Sequence, residues 1–206
     1  MNASQRIYIV DDDEAVRDSL GFQLEAAGYD VRTFSSGIDF LNRAPGLPPG
    51  CVILDVRMPD IDGLEVQIRL AEMKQSLPIV LITGHGEVPL AVRAMRAGAV
   101  DFVEKPFSEE AILESIRLAA NRSVTLAIPD EHAEAAASRL KLLSSREREV
   151  LERLVAGLPN KTIACGLGIS PRTVESHRAR VMDKMQARSL SELVRRAMAA
   201  GLRPKF

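Results

Sequence analysis

The chain has 206 residues, 46 % of them apolar, so it can bury one large core or two small ones and is too apolar for a disordered protein. Its two cysteines, Cys51 and Cys165, stand far apart and outside any metal-ligand spacing, which argues against a disulfide framework and fits a reducing cytosol. The apolar run Ile7 to Val10 behind the polar start is too short for a signal peptide or a membrane span, so a cytoplasmic protein is expected.

The net charge of −1 conceals an asymmetry. Residues 1–124 carry 12 Lys and Arg against 19 Asp and Glu, residues 125–138 three acids and no base, and residues 139–206 carry 15 bases against 6 acids. A basic C-terminal third behind an acidic N-terminal part directs only the C-terminus toward a polyanion.

In chain order, Ile7 to Val10 reads as a buried strand. Glu14 to Ala27 has Val16, Leu20, Leu24 and Ala27 at helical spacing and ends at Gly28. Val31 to Phe34 is a short strand, and Gly37 to Arg43 a short helix closed by Pro45. Val52 to Val56 and Ile79 to Thr83 are apolar strands, separated by a helix over Leu64 to Met73. Val88 to Ala97 is a helix stopped by Gly98, Val100 to Val103 a strand, and Glu109 to Ala120 a helix. Five strands alternating with five helices predict an α/β, doubly wound, five-stranded parallel sheet. The first, third and fourth strands lack alternation and are expected at its centre.

Residues 121–138 read as a linker. Pro129 interrupts it, and Asp130 can cap an Ala-rich helix there. From Leu140 to Leu202 the pattern is all-helical. Ser144 and Glu147 form a capping box before a helix that ends at Gly157. Asn160 can cap a second helix ending near Gly168. Ser170 and Pro171 are an N-cap and first helical residue for a long helix over Arg172 to Met185, and Leu190 to Ala200 forms the last helix.

The chemistry gathers where parallel sheets bind ligands, beyond the carboxyl ends of the strands. Those ends carry Asp11-Asp12-Asp13, Asp55, Thr83 and Lys105. Clustered carboxylates cannot all stay ionised unpaired, and Mg2+ is the cation that suits carboxylate oxygens and water. One carboxylate can then attack a phosphoryl group, with metal, Lys105 and Thr83 offsetting the charge on its oxygens. A polar residue at a strand end ordinarily caps a loop; the complete set is what singles out phosphoryl chemistry.

The pieces "VDDD", "ILDVRMPDIDG", "LITGHG" and "DFVEKPF" resemble the receiver domain of bacterial response regulators, a flavodoxin-like fold, over about Gln5 to Arg122. The resemblance implies that Asp55 is the phosphoacceptor, that Asp12 binds the metal directly and Asp11 through water, and that Arg57 offers its backbone carbonyl. It implies that Lys105 pairs with the phosphoryl group ahead of a cis bond to Pro106, and that Thr83 and Phe102 form a switch pair. Arg57 and His85 occupy the two family positions that tune phosphoryl lifetime. Asp13 has no family role and suits the start of a helix. Haloacid-dehalogenase-type phosphatases also use an Asp nucleophile, but they need a second Asp two residues later, where this chain has Arg57.

The segment "LSSREREVLERLVAGLPNKTIACGLGISPRTVESHRARVMDKM" resembles the LuxR/NarL-type helix-turn-helix. Val174, Val181 and Met185 make the apolar face of its second helix. Arg172, Glu175, Ser176, Ala179 and Asp183 lie on or near the opposite face and are expected toward base edges. Lys161, Arg178, Arg180 and Lys184 flank it and suit phosphates, and Thr173 is also expected among the DNA-binding residues. Generic alternatives are a four-helix interaction domain or an RNA- or protein-binding output. His177 and Cys165 read as scaffold residues.

Both halves in this order resemble the FixJ-type transcriptional regulators. This implies a receiver over 1–122, a linker over 123–138 and a DNA-binding domain over 139–206. It also implies a FixL-like sensor histidine kinase, promoter DNA as ligand, a homodimer on phosphorylation, and control of nitrogen-fixation or low-oxygen genes. The protein is then no enzyme beyond assisting its own phosphoryl transfer and dephosphorylation.

Overall fold

Five parallel strands form one sheet in the order β2-β1-β3-β4-β5. They are β1 (Arg6–Val10), β2 (Asp30–Phe34), β3 (Cys51–Asp55), β4 (Ile79–Thr83) and β5 (Asp101–Glu104). The expected central strands are therefore central, and every residue of β3 and β4 is buried. The computed structural model describes residues 5–84, 88–124 and 130–202. His85, Pro129 and the linker stretch 125–129 lie outside them.

The described chain divides into two units. One holds the residues up to 84 with 96–124, and the other 88–95 with 130–202. In the first, α1 (Glu14–Ala26) and α5 (Glu109–Val124) cover one face of the sheet. Leu20, Leu24, Ile112, Ile116 and Ala119 pack there on Ile7, Ile9, Cys51, Ile53, Val80 and Ile82. Alternate strand residues point to the opposite side, where Tyr8, Phe34 and Phe40 make edge and tilted ring contacts with centroids 5.1–6.3 Å apart. The short α2 (Gly37–Arg43) and α3 (Gly63–Glu72) complete this unit. Gly63 is required where α3 begins: a Cβ there would sit 2.3 Å from the Asp55 carbonyl oxygen. The start of α3 thus lies directly against the end of β3.

Residues 88–95 of the helix α4 (Val88–Arg96) group with the second unit, so the division is not a single cut in the chain. The rest of that unit is α6 (Asp130–Leu140), α7 (Ser145–Val155), α8 (Asn160–Leu167), α9 (Pro171–Lys184) and α10 (Leu190–Ala199). The stretch expected as linker therefore contains a helix, and its last residue, Leu140, joins a core with Leu151, Val155, Val181, Met185, Leu193 and Ala197. The capping box of Ser144 and Glu147 is present. One cap differs: Pro159, not Asn160, occupies the N-cap of α8, and the Asn160 side chain does not cap it. Asn160 already lies inside the helix, so it cannot hold the extended conformation an N-cap needs.

Candidate functional site

The carboxyl ends of β1, β3 and β5 bring Asp11, Asp55 and Lys105 together. The Lys105 ammonium donates to Asp11 Oδ2 at 2.7 Å and to Asp55 Oδ1 at 2.8 Å. Both carboxylates are buried, at 1 % and 6 % side-chain exposure, while Lys105 keeps 23 %. Burial pushes the Asp55 carboxyl above its ordinary pKa despite the opposing hydrogen bond from Lys105. Burial also works against the Lys105 cation, but its hydrogen bonds to Asp11 and Asp55 outweigh that and raise its pKa. Two carboxylates thus share one ammonium, an unbalanced arrangement in a desolvated place.

Local backbone geometry holds these groups. Asp55 Oδ2 accepts the Arg57 N–H at 2.6 Å, which turns the chain out of β3 and leaves the Arg57 side chain exposed. Asp11 Oδ1 accepts the Asp13 N–H at 2.9 Å, and Asp13 caps α1 through the Ala15 N–H at 2.9 Å. Asp13 is therefore the helix-start acid its position suggested. Asp12, between them, is exposed. At the neighbouring strand end, the Thr83 carbonyl accepts the Lys105 N–H at 2.7 Å. Thr83 and Phe102 are both buried. The Lys105–Pro106 peptide is cis.

Two positioning residues escaped the sequence reading. Arg17 donates from one guanidinium nitrogen to the backbone carbonyls of Asp11 and Asp12 at 2.8 and 2.9 Å. Asp60 accepts from Ser36 Oγ at 2.5 Å and from the Ile38 N–H at 3.0 Å, tying the loop after β3 to the start of α2. A sequence signal existed for Arg17: a cation in the first turns of a helix opposes the helix dipole and needs local compensation.

Among the described residues, no group of three or more His, Cys, Asp or Glu forms a ready metal cage. Mg2+ does not need one, because it keeps several waters and takes one or two carboxylates. The exposed Asp12, beside an excess of buried carboxylate over ammonium, fits that requirement.

In the second unit, α8 and α9 flank a tight turn. Gly168 takes the left-handed conformation at φ 64°, and the Ile169 N–H bonds the Ala164 carbonyl at 3.1 Å. Ser170 caps α9 through the Thr173 N–H at 3.1 Å, with Pro171 at the first helical position. Ala164 is buried, and Val174, Val181 and Met185 are fully buried, as their spacing predicts. Arg172, Glu175, Ser176, Ala179 and Arg180 are exposed, as is Lys161 on α8; Thr173 and Arg178 are half-buried. Arg146, Arg148 and Arg196 are paired with acids on their own helices. Lys161, Arg172, Arg178 and Arg180 have no ion pair among the described residues, so none of these cations is tied to an acid of the unit.

Lys184 behaves differently from the expected phosphate contact. Its ammonium donates to Glu147 Oε2 at 2.7 Å and to the Leu142 carbonyl at 3.3 Å. Glu147 is buried and also accepts the Ser144 N–H at 2.8 Å. The Lys184 hydrogen bond and the capping box hold its carboxyl down at about 2. Lys184 fastens α9 to the start of α7, and a helix-surface pattern cannot reveal that its partner lies 37 residues away.

Residues 7–117 match the response regulator receiver domain, and residues 141–197 match the bacterial regulatory proteins of the luxR family. These matches make the chain a two-component response regulator that carries a LuxR-type DNA-binding domain, a transcription regulator rather than a conventional enzyme. The chain is 50 % identical over 202 residues to the transcriptional regulatory protein FixJ of Bradyrhizobium diazoefficiens, covering 98 % of both chains. It is 50 % identical to FixJ of Rhizobium meliloti over 96 % of this chain and 97 % of that one. The crystal structure of full-length FixJ from B. japonicum superposes with a TM-score of 0.56 at 50 % identity, covering 98 % of this chain and all of the other. The chain belongs to the FixJ-type response regulators.

Proposed function

We propose that Asp55 takes a phosphoryl group from a FixL-like sensor histidine kinase, and that this event switches DNA binding on. The observation that carries the reading is the Lys105 ammonium bridging Asp11 and Asp55 at the carboxyl edge of the sheet. Mg2+ is the implied cofactor. Asp12, Asp55 and the Arg57 carbonyl would hold it, with Asp11 acting through water, and it would supply charge neutralisation at the acceptor. Asp55 is the nucleophile, and Lys105 offsets charge on the phosphoryl oxygens. Thr83 and Phe102 form the switch pair, the hydroxyl answering the phosphoryl group and the ring following it. The protein catalyses only its own phosphoryl transfer and dephosphorylation. Its working boundaries are a receiver over 1–122, a linker over 123–138 and a DNA-binding domain over 139–206, acting in the cytoplasm.

In the DNA-binding domain, α9 is the recognition helix. Arg172, Glu175, Ser176, Ala179 and Asp183 lie toward base edges, with Thr173 beside them at the start of the helix, and Lys161, Arg178 and Arg180 meet phosphates. The unpaired cations of α8 and α9 support this reading over a generic interaction domain. Phosphorylation frees the helix-turn-helix and pairs two receivers on the side of α4 and β5. Of the residues expected there, Leu90 and Val103 are half-buried, while Val88, Ala91, Met95 and residues 100–102 are buried and would have to shift to take part. Two helix-turn-helix units then meet half-sites about 10 bp apart. The relatives named FixJ make nitrogen-fixation or low-oxygen genes the natural targets.

The test is selection of bound duplex DNA by the full chain, with and without acetyl phosphate and Mg2+, using Asp55→Asn as control. Enrichment of one sequence family only by the phosphorylated wild type is expected. Equal enrichment by Asp55→Asn under both conditions would overturn the reading.

A further inference from the structure

Three consecutive aspartates leave β1, and the structure gives each a different occupation. Asp11 is bonded to Lys105 and to the Asp13 N–H, and Asp13 caps α1. The Asp12 carboxylate makes no hydrogen bond among the described residues and is exposed. What is fixed about Asp12 is its backbone. The two carbonyl oxygens held by Arg17, at 2.8 and 2.9 Å, belong to the peptide units on either side of the Asp12 Cα. Peptide units are planar, so holding both leaves the φ and ψ between them little freedom. One side chain on the fourth residue of α1 therefore sets the direction from which the Asp12 side chain departs.

We propose that Arg17 is a positioning residue that pre-sets Asp12 for a divalent cation. The inference rests on the reading that Asp12 is a cation ligand. It makes a prediction whose sign opposes plain electrostatics. Arg17 is a positive charge near a cation site, so if charge were all that mattered, its removal would tighten cation binding. If the grip on the backbone matters more, removal loosens binding, because the cation must then order one more residue. Ordering one backbone costs the equivalent of about five- to thirtyfold in affinity. Arg17→Lys separates the two effects: it keeps the charge, but the shorter side chain without a planar head cannot span both carbonyls in the same way.

Mn2+ serves as the probe, titrated into the full chain without any phosphoryl donor, with free Mn2+ read from its electron paramagnetic resonance signal. Wild type should bind one ion that Asp12→Asn loses. Arg17→Gln should bind about five- to thirtyfold more weakly and Arg17→Lys about threefold or more weakly, by partial loss of the same ordering. The unfolding temperature of the metal-free protein should stay close to that of wild type. Unchanged or tighter binding in both Arg17 variants would overturn the proposal. Should Arg17→Gln fail to fold, Arg17→Lys decides by the same criterion. If Asp12→Asn binds as wild type does, it is the cation-site reading that fails, and this proposal falls with it.

Discussion

Each unit contains a lysine bonded to a buried carboxylate at 2.7–2.8 Å, and the two do opposite things. Lys184 and Glu147 are matched one to one. Glu147 Oε2 also accepts the capping-box N–H of Ser144, so the pair is satisfied within its own unit. Lys105 faces two carboxylates, with a third, Asp12, exposed next along the chain. The first arrangement is complete and fastens helices; the second carries surplus negative charge and invites a cation and a phosphoryl group. Type and distance of the pair do not separate structure from chemistry, whereas the count of charges around it does.

The sharpest way to break this contrast is to remove each lysine. Lys105→Ala should slow phosphorylation of Asp55 by acetyl phosphate about a hundredfold, the size expected for losing one donor to developing charge. It should not unfold the protein. A rate within threefold of wild type would place Lys105 among structural residues.

Lys184→Ala should leave phosphorylation unchanged and lower the stability of the helical unit by about 2 kcal/mol. That is below the roughly 3–5 kcal/mol of fully buried pairs, because the Lys184 side chain is 37 % exposed. The pair also predicts a pH dependence. Glu147 is held at about 2 against an ordinary 4.5, so its stabilisation is complete above about 4.5 and disappears as the pH falls toward 2. Thermal unfolding of wild type and Glu147→Gln across that range should converge at the acid end. Parallel curves would remove the pair from the account.

On the exposed face the expected effects are smaller. Replacing Glu175 or Ser176 should change the preferred base at one position by roughly 1–3 kcal/mol, read from competition binding. Replacing Arg180 or Lys161 by Ala should weaken binding to all sequences alike and flatten the salt dependence by about one unit of slope each. Reversal of the two patterns would put a different side of α9 toward the groove.

Much of this was legible in the sequence, because the fold is written locally. Apolar runs, glycine stops and Ser-type caps placed every strand of the sheet and nearly every helix. The strand-end rule gathered Asp11, Asp55, Thr83 and Lys105 into one neighbourhood. What stayed hidden required distances between elements. Arg17 carried only the faint signal of a cation at a helix start, Asp60 looks like a loop acid until Ser36 is placed, and Lys184 like a DNA contact until Glu147 arrives from another helix. Asn160 misled for a local reason: Pro159 already supplies the extended residue that starts α8.

Surplus negative charge around Lys105 is proposed to make Asp55 the phosphoacceptor. The most direct measurement incubates the full chain with a labelled small phosphoryl donor and maps the labelled residue by mass spectrometry, with and without Mg2+. Label on Asp55 alone is predicted, lost without the metal, in Asp12→Ala and in Asp55→Asn. Stoichiometric, metal-dependent label persisting in Asp55→Asn would contradict it.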